Sequence, residues 1–302
     1  MTDRGRFLKT PRHRSALVLA AITSSIVASA CSATAGSAAT PEPAISARPH
    51  ATSIGATPRA SARRPAAARQ KTPAAGTPRA VAEPLAGKIV GVDPGHNGRN
   101  YTDPAYINHL IWNGREWETC NTTGTETDSG YTEARFNFRV ALFLRADLRR
   151  DGARVVMTRK NNHGVGPCVN RRAAIINRAH PDVAIDIHAD GGPASGRGFA
   201  VLEPVSDGPN DKVIRSSERF GRDVRRALLA GTSMPESTYD GVHGIKHRDN
   251  LAGLNLTRVP EVLIECGNMR NSADARLLTA DRFQRRIAGA LEAAITRFLR
   301  SR

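Results

Sequence analysis

Four polar side chains of this sequence stand at the borders of segments that are typical of strands and helices, and their types could support metal chemistry. His96 follows the apolar run KIVGVD, and His188 lies near the end of VAIDIHAD. Glu265 lies at the end of EVLIE, and Glu133 stands in the first turn of a predicted helix. Two imidazoles and one carboxylate form a common ligand set for a catalytic zinc ion, with a fourth position left for water. The sequence therefore predicts that His96, Glu133 and His188 bind one Zn2+.

Each of these residues also has an ordinary structural explanation. His96, between Pro and Gly residues, could serve a tight turn, and His188 could be a hydrogen-bonded histidine near the core. Glu133 suits the dipole at a helix N-terminus, and Glu265 could be a buried ion-pair partner. Their joint placement favours the metal site, because the carboxyl ends of parallel strands meet at one edge of a sheet. The other histidines of the folded part are predicted to be surface or loop residues: His109, His163, His180, His243 and His247, of which the last two could line the same edge.

Strand-like and helix-like segments alternate from Lys88 onward, which predicts an α/β fold. About 215 residues with one such rhythm and no internal repeat are best explained by a single domain, assigned to residues 85–302. The predicted strands are KIVGVD, ARVVMTR, VAIDIHAD, FAVLEP and EVLIECGN. The predicted helices are YTEARFNFRVALFLRADLRRDG, NRRAAIINRAH, Glu218–Leu229 and a final helix from about Ala273 to Leu299.

Residues 1–30 have the features of a secretory signal peptide. A basic stretch is followed by the apolar run Ala16–Ala30, which is too short for a comfortable membrane span. Ala28-Ser29-Ala30 fits the cleavage rule of small residues and would leave Cys31 as the first mature residue. We therefore predict export. The preceding residues match a lipoprotein box only loosely, so Cys31 either carries a lipid or stays unmodified.

Residues 31–84 are predicted to form a disordered, basic tether. These 54 residues contain 17 Ala and 8 Pro but no Phe, Trp or Tyr, so they cannot bury enough apolar surface to fold. Through residue 84 there are 12 Lys and Arg against 3 Asp and Glu, which gives +9 of the total net charge of +16. Such a tether suits an anionic partner, such as a wall polymer or lipid headgroups, or it merely aids solubility. Nucleic acid is not an expected partner of an exported chain.

Two cysteines of the folded part are predicted to pair. Cys120 and Cys168 both lie in polar loop sequence, and an exported protein meets an oxidising compartment. Cys266 follows an apolar strand and is predicted to be a packed, reduced thiol.

The segment IWNGREW is predicted to form a β-hairpin. Asn113 and Gly114 are a preferred pair for a two-residue turn, and Trp112 and Trp117 would flank it as an aromatic pair. The segment falls between His96 and the Glu133 helix, so the hairpin could act as a flap near the metal. The alternative is that the aromatic pair simply packs on the domain.

Four separated motifs of the sequence resemble, in the same order, those of the zinc-dependent N-acetylmuramoyl-L-alanine amidases, which are bacterial cell-wall hydrolases. The motifs are VDPGHNG, SGYTEARFN, IDIHADGG and LAGLNLTRVPEVLIECGNMRN, and the resemblance spans about residues 87 to 300. It implies a twisted, mostly parallel central sheet flanked by helices. It also implies that His96, Glu133 and His188 bind zinc and that Glu265 is the catalytic acid/base. Cys266 and the insertion YINHLIWNGREWETCN depart from the family pattern, and the insertion leaves the shape of the groove open.

The activity that the resemblance implies is hydrolysis of the amide between N-acetylmuramic acid and L-alanine in peptidoglycan. We expect a monomer, and the predicted signal peptide places it outside the cytoplasm. Asp93 and Asp186 could orient the ligands or only hold a turn or strand end. One rival function is a zinc peptidase or deacetylase that attacks a different wall amide. The other is a wall-binding module without turnover, which would not need an acid/base at the metal.

Overall fold

The computed structural model of the chain describes residues 83–301. The predicted signal peptide, Cys31 and nearly all of the predicted tether lie outside these residues, so those assignments stay predictions. Among the helices that the structure describes, none is long and apolar enough to cross a membrane.

A six-stranded sheet forms the centre of the described chain. Its strands are β1 (Ile89–Pro94), β4 (Arg154–Met157), β5 (Val183–Asp190), β6 (Ala200–Pro204), β7 (Ile245–Arg248) and β8 (Glu261–Asn268), and a separate hairpin holds β2 (Leu110–Trp112) and β3 (Trp117–Thr119). The order in the sheet is β4-β1-β5-β8-β6-β7. β1 pairs in parallel with β4 and β5, β5 pairs in parallel with β8, and β6 runs antiparallel to β8 and parallel to β7. The predicted mostly parallel α/β fold is confirmed, and β7 is an additional strand that the sequence analysis did not identify.

Helices cover the two faces of the sheet unequally. The α-helices are α1 (Pro104–Asn108), α2 (Glu133–Arg150), α3 (Val169–Ala179), α4 (Ile214–Gly231), α5 (Ala252–Leu256), α6 (Ser272–Leu278) and α7 (Asp281–Arg300). α2, α4 and α7 pack together over the main hydrophobic core, to which β5 contributes Val183, Ile185 and Ile187. The alternate residues of β5 point to the opposite face, because successive strand side chains alternate. That second face therefore receives Asp186 and His188, and the short α5 packs on part of it through Leu254.

The single long helix predicted from about Ala273 to Leu299 is wrong. The chain instead forms α6 and α7, with a break at Thr279 and Ala280. The Thr279 hydroxyl donates to the carbonyl of Ala275, and the Gln284 side-chain amide donates to the carbonyl of Leu278. These side chains satisfy the last carbonyls of α6, so the helix can end without a glycine or proline to mark the break.

The hairpin of β2 and β3 confirms the predicted strand pair but not its turn. Trp112 is opposite Trp117, and their rings meet edge to face with centroids 5.6 Å apart. Four residues, 113–116, separate the two strands rather than two. The Asn113 side-chain carbonyl accepts from the backbone N–H groups of Arg115 and Glu116, at 2.9 and 2.8 Å. This side chain closes a wider turn, which the Asn-Gly pair alone did not indicate.

Cys120 and Cys168 form the predicted disulfide, with a sequence separation of 48 residues. Both cysteines are buried against Ile111 and Ala252, so the bond ties the end of the hairpin to the start of α3. Cys266 is a buried cysteine outside any disulfide of the described residues.

Removing this disulfide should destabilise the domain. For a loop of 48 residues the chain-entropy relation gives a loss of about 3 to 4 kcal/mol in the free energy of unfolding for the variant C120S/C168S. Urea unfolding of purified protein measures this loss, with the variant C266A as a control that keeps the bond. Peptide mapping without reductant should recover the Cys120 and Cys168 peptides joined, and free thiols at both positions in exported protein would contradict the pairing.

Candidate metal centre

Neighbouring strands place His188 and Glu265 side by side. His188 of β5 and Glu265 of β8 are partners in the parallel register, and both lie on the sheet face away from the main core. His96 follows β1, which pairs with the other side of β5. The carboxyl ends of three adjacent parallel strands thus converge at one edge, as the sequence predicted.

The loop that carries His96 requires glycine where it passes His188. A Cβ atom on Gly95 would lie 2.2 Å from Nε2 of His188, so any other residue would displace the ring. His96 itself adopts a left-handed backbone conformation with φ of 56°. Such a conformation is uncommon for a residue with a side chain, and it aims the His96 ring at the first turn of α2.

Glu133, the first residue of α2, joins the two imidazoles. Its Oε2 lies 3.1 Å from Nε2 of His96, and its Oε1 lies 2.8 Å from Nδ1 of His188. The donor atoms of His96, Glu133 and His188 all lie within 4.8 Å of one another. One nitrogen of each ring and one carboxylate therefore face a common point, which is the arrangement that a single metal ion needs.

Further polar groups of the chain contact each of the three residues and fix its orientation. Nδ1 of His96 lies 3.1 Å from the carbonyl oxygen of Thr122, and Nε2 of His188 lies 3.3 Å from Oδ1 of Asp186. The backbone N–H of Thr125 donates to Oε2 of Glu133 at 3.0 Å. These contacts direct Nε2 of His96 and Nδ1 of His188 toward the cluster, since they engage the other ring nitrogen of each residue.

Two arginines whose guanidinium groups are buried hold the loop that presents His96. Arg159 donates to the carbonyls of Pro94 and Gly95 at 2.8 and 3.2 Å. Arg172 donates to the carbonyl of Pro94 at 2.9 Å and to the carbonyl of His96. Both arginines are almost inaccessible to solvent, at 3% and 2% exposure. The sequence analysis missed them, because an arginine in a strand end or a helix shows no pattern that would distinguish it from a surface residue.

Asp93 binds Arg172, one of these two buried arginines, and does not contact His96, Glu133 or His188. Its carboxylate accepts hydrogen bonds from Arg172 and Thr158. Burial raises the pKa of Asp93, while Arg172 opposes that shift. Asp93 therefore supports the end of β1, whereas Asp186 is the aspartate that reaches His188.

The charges of the cluster favour an ionised Glu133. Burial alone would raise the pKa of Glu133, but the two imidazoles outweigh burial and hold this pKa well below its ordinary value. Burial would lower the pKa of His188, but Asp186 and Glu133 raise it well above its ordinary value. The ionised carboxylate is ready to bind a cation, whereas binding at His188 would displace the proton that its raised pKa favours in the absence of a metal.

Glu265 borders the same cleft without joining the three donors. The cleft has a volume of about 300 Å³ and is lined by His96, Glu133, His188 and Glu265, among others. Oε2 of Glu265 is buried and has no hydrogen-bond partner among the described residues. Burial raises the pKa of Glu265 well above its ordinary value; His188 opposes this shift, and Glu133 adds to it. A raised pKa favours the protonated form of this carboxyl group.

The remaining histidines of the described chain stand apart from this cluster. His247 of β7 lies 3.4 Å from Glu203, and its side chain is 59% exposed. His243 is exposed near Glu236. His109 contacts the sulfur of Cys168, but that sulfur is bonded to Cys120 and is not a free thiol. The expectation that these are surface or loop residues agrees with their positions.

Comparisons with known proteins place the whole domain in one family. Residues 90–297 match the family described as N-acetylmuramoyl-L-alanine amidase. An N-acetylmuramoyl-L-alanine amidase of Mycobacterium tuberculosis is 39% identical over 235 residues, which cover 76% of this chain and 93% of that protein. The crystal structure of the N-acetylmuramyl-L-alanine amidase Ami1 from Mycobacterium smegmatis is 40% identical, with a TM-score of 0.68, and the match covers 72% of this chain and 99% of that one. The apo form of Ami1 from Mycobacterium abscessus is also 40% identical, with a TM-score of 0.67, and the match covers 71% of this chain and 100% of that one.

These matches confirm the resemblance carried by the four sequence motifs. They include every strand of the central sheet except the first residue of β1, and they include all four residues that border the cleft. The chain belongs to the N-acetylmuramoyl-L-alanine amidase family and is an enzyme that hydrolyses the amide between N-acetylmuramic acid and L-alanine in bacterial peptidoglycan.

Proposed function

We propose that His96, Glu133 and His188 hold one Zn2+ ion and that Glu265 is the acid/base of the amidase reaction. The observation that carries this proposal is the geometry of the three donors, which lie within 4.8 Å of one another beside the unpaired Oε2 of Glu265.

The three donors suit zinc by their chemistry. Imidazole nitrogen and carboxylate oxygen are both common zinc ligands, and three protein ligands leave a position for water or substrate. When bound, zinc polarises a carbonyl group and lowers the pKa of water toward about 7. The second nitrogen of each imidazole already contacts an oxygen atom of the chain, a feature shared by most zinc-binding histidines.

In this proposal Glu265 transfers the proton of the reaction. As a base, its carboxylate accepts a proton from the attacking water, and as an acid it returns a proton to the leaving amine of L-alanine. The raised pKa of Glu265 suits the second of these steps, because a carboxyl group with an ordinary pKa would rarely be protonated at neutral pH. Glu265 lines the cleft, and its Oε2 has no hydrogen-bond partner among the described residues, so no group of the described chain competes for a proton at this oxygen.

Asp186 supports the metal through His188 in this proposal. Replacing Asp186 by Asn should weaken zinc affinity by about 10- to 100-fold, because Nε2 of His188 loses its charged neighbour at 3.3 Å. Competition with a fluorescent zinc chelator measures the affinity directly. The variant D211N, at an exposed aspartate that bonds Ser206, is the control. Equal zinc affinity in D186N and the wild type would show that Asp186 only holds the strand.

The activity is tested by mass spectrometry of the products from purified peptidoglycan, with and without a chelator. An amidase releases stem peptides with a newly exposed alanine amine, and zinc should restore the activity that the chelator removes. A peptidase would instead cut inside the stem peptide, and a deacetylase would release acetate. Either of those product patterns, or full activity without metal, would contradict the proposal.

The proposal places the enzyme outside the cytoplasm as a monomer, with residues 1–30 as the signal peptide and residues 85–302 as the catalytic domain. Residues 31–84 would form a basic tether that contacts an anionic wall polymer or the membrane surface. Cys31 either carries a lipid at the new N-terminus or stays unmodified. Mass spectrometry of the mature N-terminus distinguishes the two states and locates the cleavage site.

A further inference from the structure

The outer face of the hairpin exposes three large apolar side chains, which we name the aromatic platform: Leu110, Trp112 and Trp117. They are 60%, 47% and 64% exposed, although apolar side chains of this size are usually buried. Trp112 and Trp117 are also the only tryptophans of the sequence. An exposed group of this kind commonly marks a binding surface.

The platform is held in an outward position by the opposite face of the same hairpin. Ile111, which alternates with Leu110 and Trp112, is buried against Cys120, Cys168 and Ala252. The next inward residue, Glu118, accepts a hydrogen bond from the backbone N–H of Ala252 at 3.0 Å. A one-residue change of register would be needed to bury the tryptophans, and the disulfide beside β3 opposes it.

The turn of the hairpin is anchored as well. Asn113 is completely buried, and Arg115 lies 3.8 Å from Asp207 and 3.5 Å from Asp249. The turn therefore points at the domain, and the platform is a flat side surface rather than a projecting tip. Because contacts of the inward face and of the turn fix the backbone of the hairpin, the platform would lose little conformational entropy when it binds a ligand.

The platform lies next to a cavity that the metal centre borders. Glu118 and Thr119 of β3 line a cavity of about 160 Å³ that His96 and His188 also line. Thr119 shares the outward face with Trp117, since alternate residues of a strand point the same way. A polymer that extends from the cleft along β3 would therefore meet Trp117 next.

We infer that the aromatic platform binds the glycan strand of peptidoglycan by stacking on sugar rings near the muramic acid that undergoes cleavage. This inference rests on the proposed function, which places the scissile amide in the cleft. The axial C–H groups of a pyranose ring form an apolar face, and a tryptophan ring offers a large apolar face with partial negative charge to meet it. The only charged residues of the turn, Arg115 and Glu116, have opposite signs, so the turn carries no net charge, which suits the uncharged face of a sugar ring better than a densely anionic surface.

A binding assay without turnover tests this inference. The chelated enzyme is mixed at high salt with insoluble glycan strands from which the stem peptides have been removed, and the bound fraction is measured by sedimentation. High salt suppresses contacts between the basic tether and the lactyl carboxylates that remain on these strands. The variant W112A/W117A should bind about 10-fold more weakly than the wild type, because aromatic anchors carry much of the free energy of such contacts. W112F/W117F should recover part of the affinity. The variant L229A is the matched control, since Leu229 is 43% exposed on α4.

A second readout compares two substrates at equal enzyme concentration. The ratio of turnover on polymeric wall to turnover on a soluble muramoyl dipeptide should fall about 10-fold in W112A/W117A and stay unchanged in L229A. Circular dichroism checks that each variant is folded. If wild-type enzyme cleaves neither substrate, the proposed amidase mechanism fails, while glycan binding by the chelated protein is still measured.

Equal glycan binding by W112A/W117A and the wild type would overturn the inference. Binding to vesicles of anionic phospholipid that depends on the two tryptophans, without such dependence for glycan, would also overturn it and identify the platform as a membrane contact.

Discussion

Replacing Glu265 by Gln is expected to lower turnover by roughly 100-fold or more while the protein keeps its zinc. Glutamine preserves the shape of the side chain but cannot accept a proton from water or return one to the leaving amine. Glu265 contributes no donor to the three-residue cluster, so the metal content should remain that of the wild type. Steady-state turnover of a muramoyl dipeptide and metal analysis of the same sample measure both quantities.

The matched control for this variant is E261Q. Glu261 lies on the same strand, β8, and points to the same face, but it is about 13 Å farther from the cleft edge. Burial raises the pKa of Glu261 well above its ordinary value, as it does for Glu265, so the two carboxyl groups share the direction of this shift, although Glu261 is the more deeply buried. E261Q should retain near-normal turnover. Near-normal turnover of E265Q would refute the acid/base role, and loss of zinc in E265Q would mean that Glu265 also supports the metal.

The second large effect is expected from the ligands themselves. The variant E133A/H188A should lose its metal, so that the zinc content falls from about one ion per chain to near zero and activity is lost. The reason is geometric, since the double change removes two of the three donors and leaves only His96. Elemental analysis after dialysis against a zinc buffer measures the content.

The variant H247A serves as the control for loss of a histidine. His247 is an exposed residue of β7 that pairs with Glu203 outside the cluster, so zinc content and activity should stay at the wild-type level. Full zinc occupancy in E133A/H188A would exclude the assigned ligand set, whatever the activity of that variant.

The sequence predicted the parts of the site that lie at the ends of regular elements. His96, His188 and Glu265 each follow apolar residues of a strand, and parallel neighbours bring such positions to one edge. Glu133 could be assigned because the helix pattern places it in the first turn of α2. Strand and helix patterns placed these residues together, because the edge of the sheet decides where their side chains meet, and the family resemblance assigned their roles.

The supporting contacts could not be predicted, because they depend on loops and on distant parts of the chain. The carbonyl of Thr122 reaches His96 from a loop 26 residues away, and backbone atoms carry no side-chain signature. Arg172 supports the His96 loop from α3, where the sequence shows only another basic residue of a helix. The hairpin turn was misjudged for a similar reason, since burial of Asn113 against the domain selects a longer turn than Asn-Gly alone favours.

The most direct measurement of the central claim is anomalous diffraction at the zinc edge from crystals of the wild-type enzyme grown with zinc. We expect one peak bonded to Nε2 of His96, the Glu133 carboxylate and Nδ1 of His188, with Glu265 beside it but not bound to it. A peak at any other position, or a metal site that includes Glu265 in place of one of the three ligands, would contradict the account.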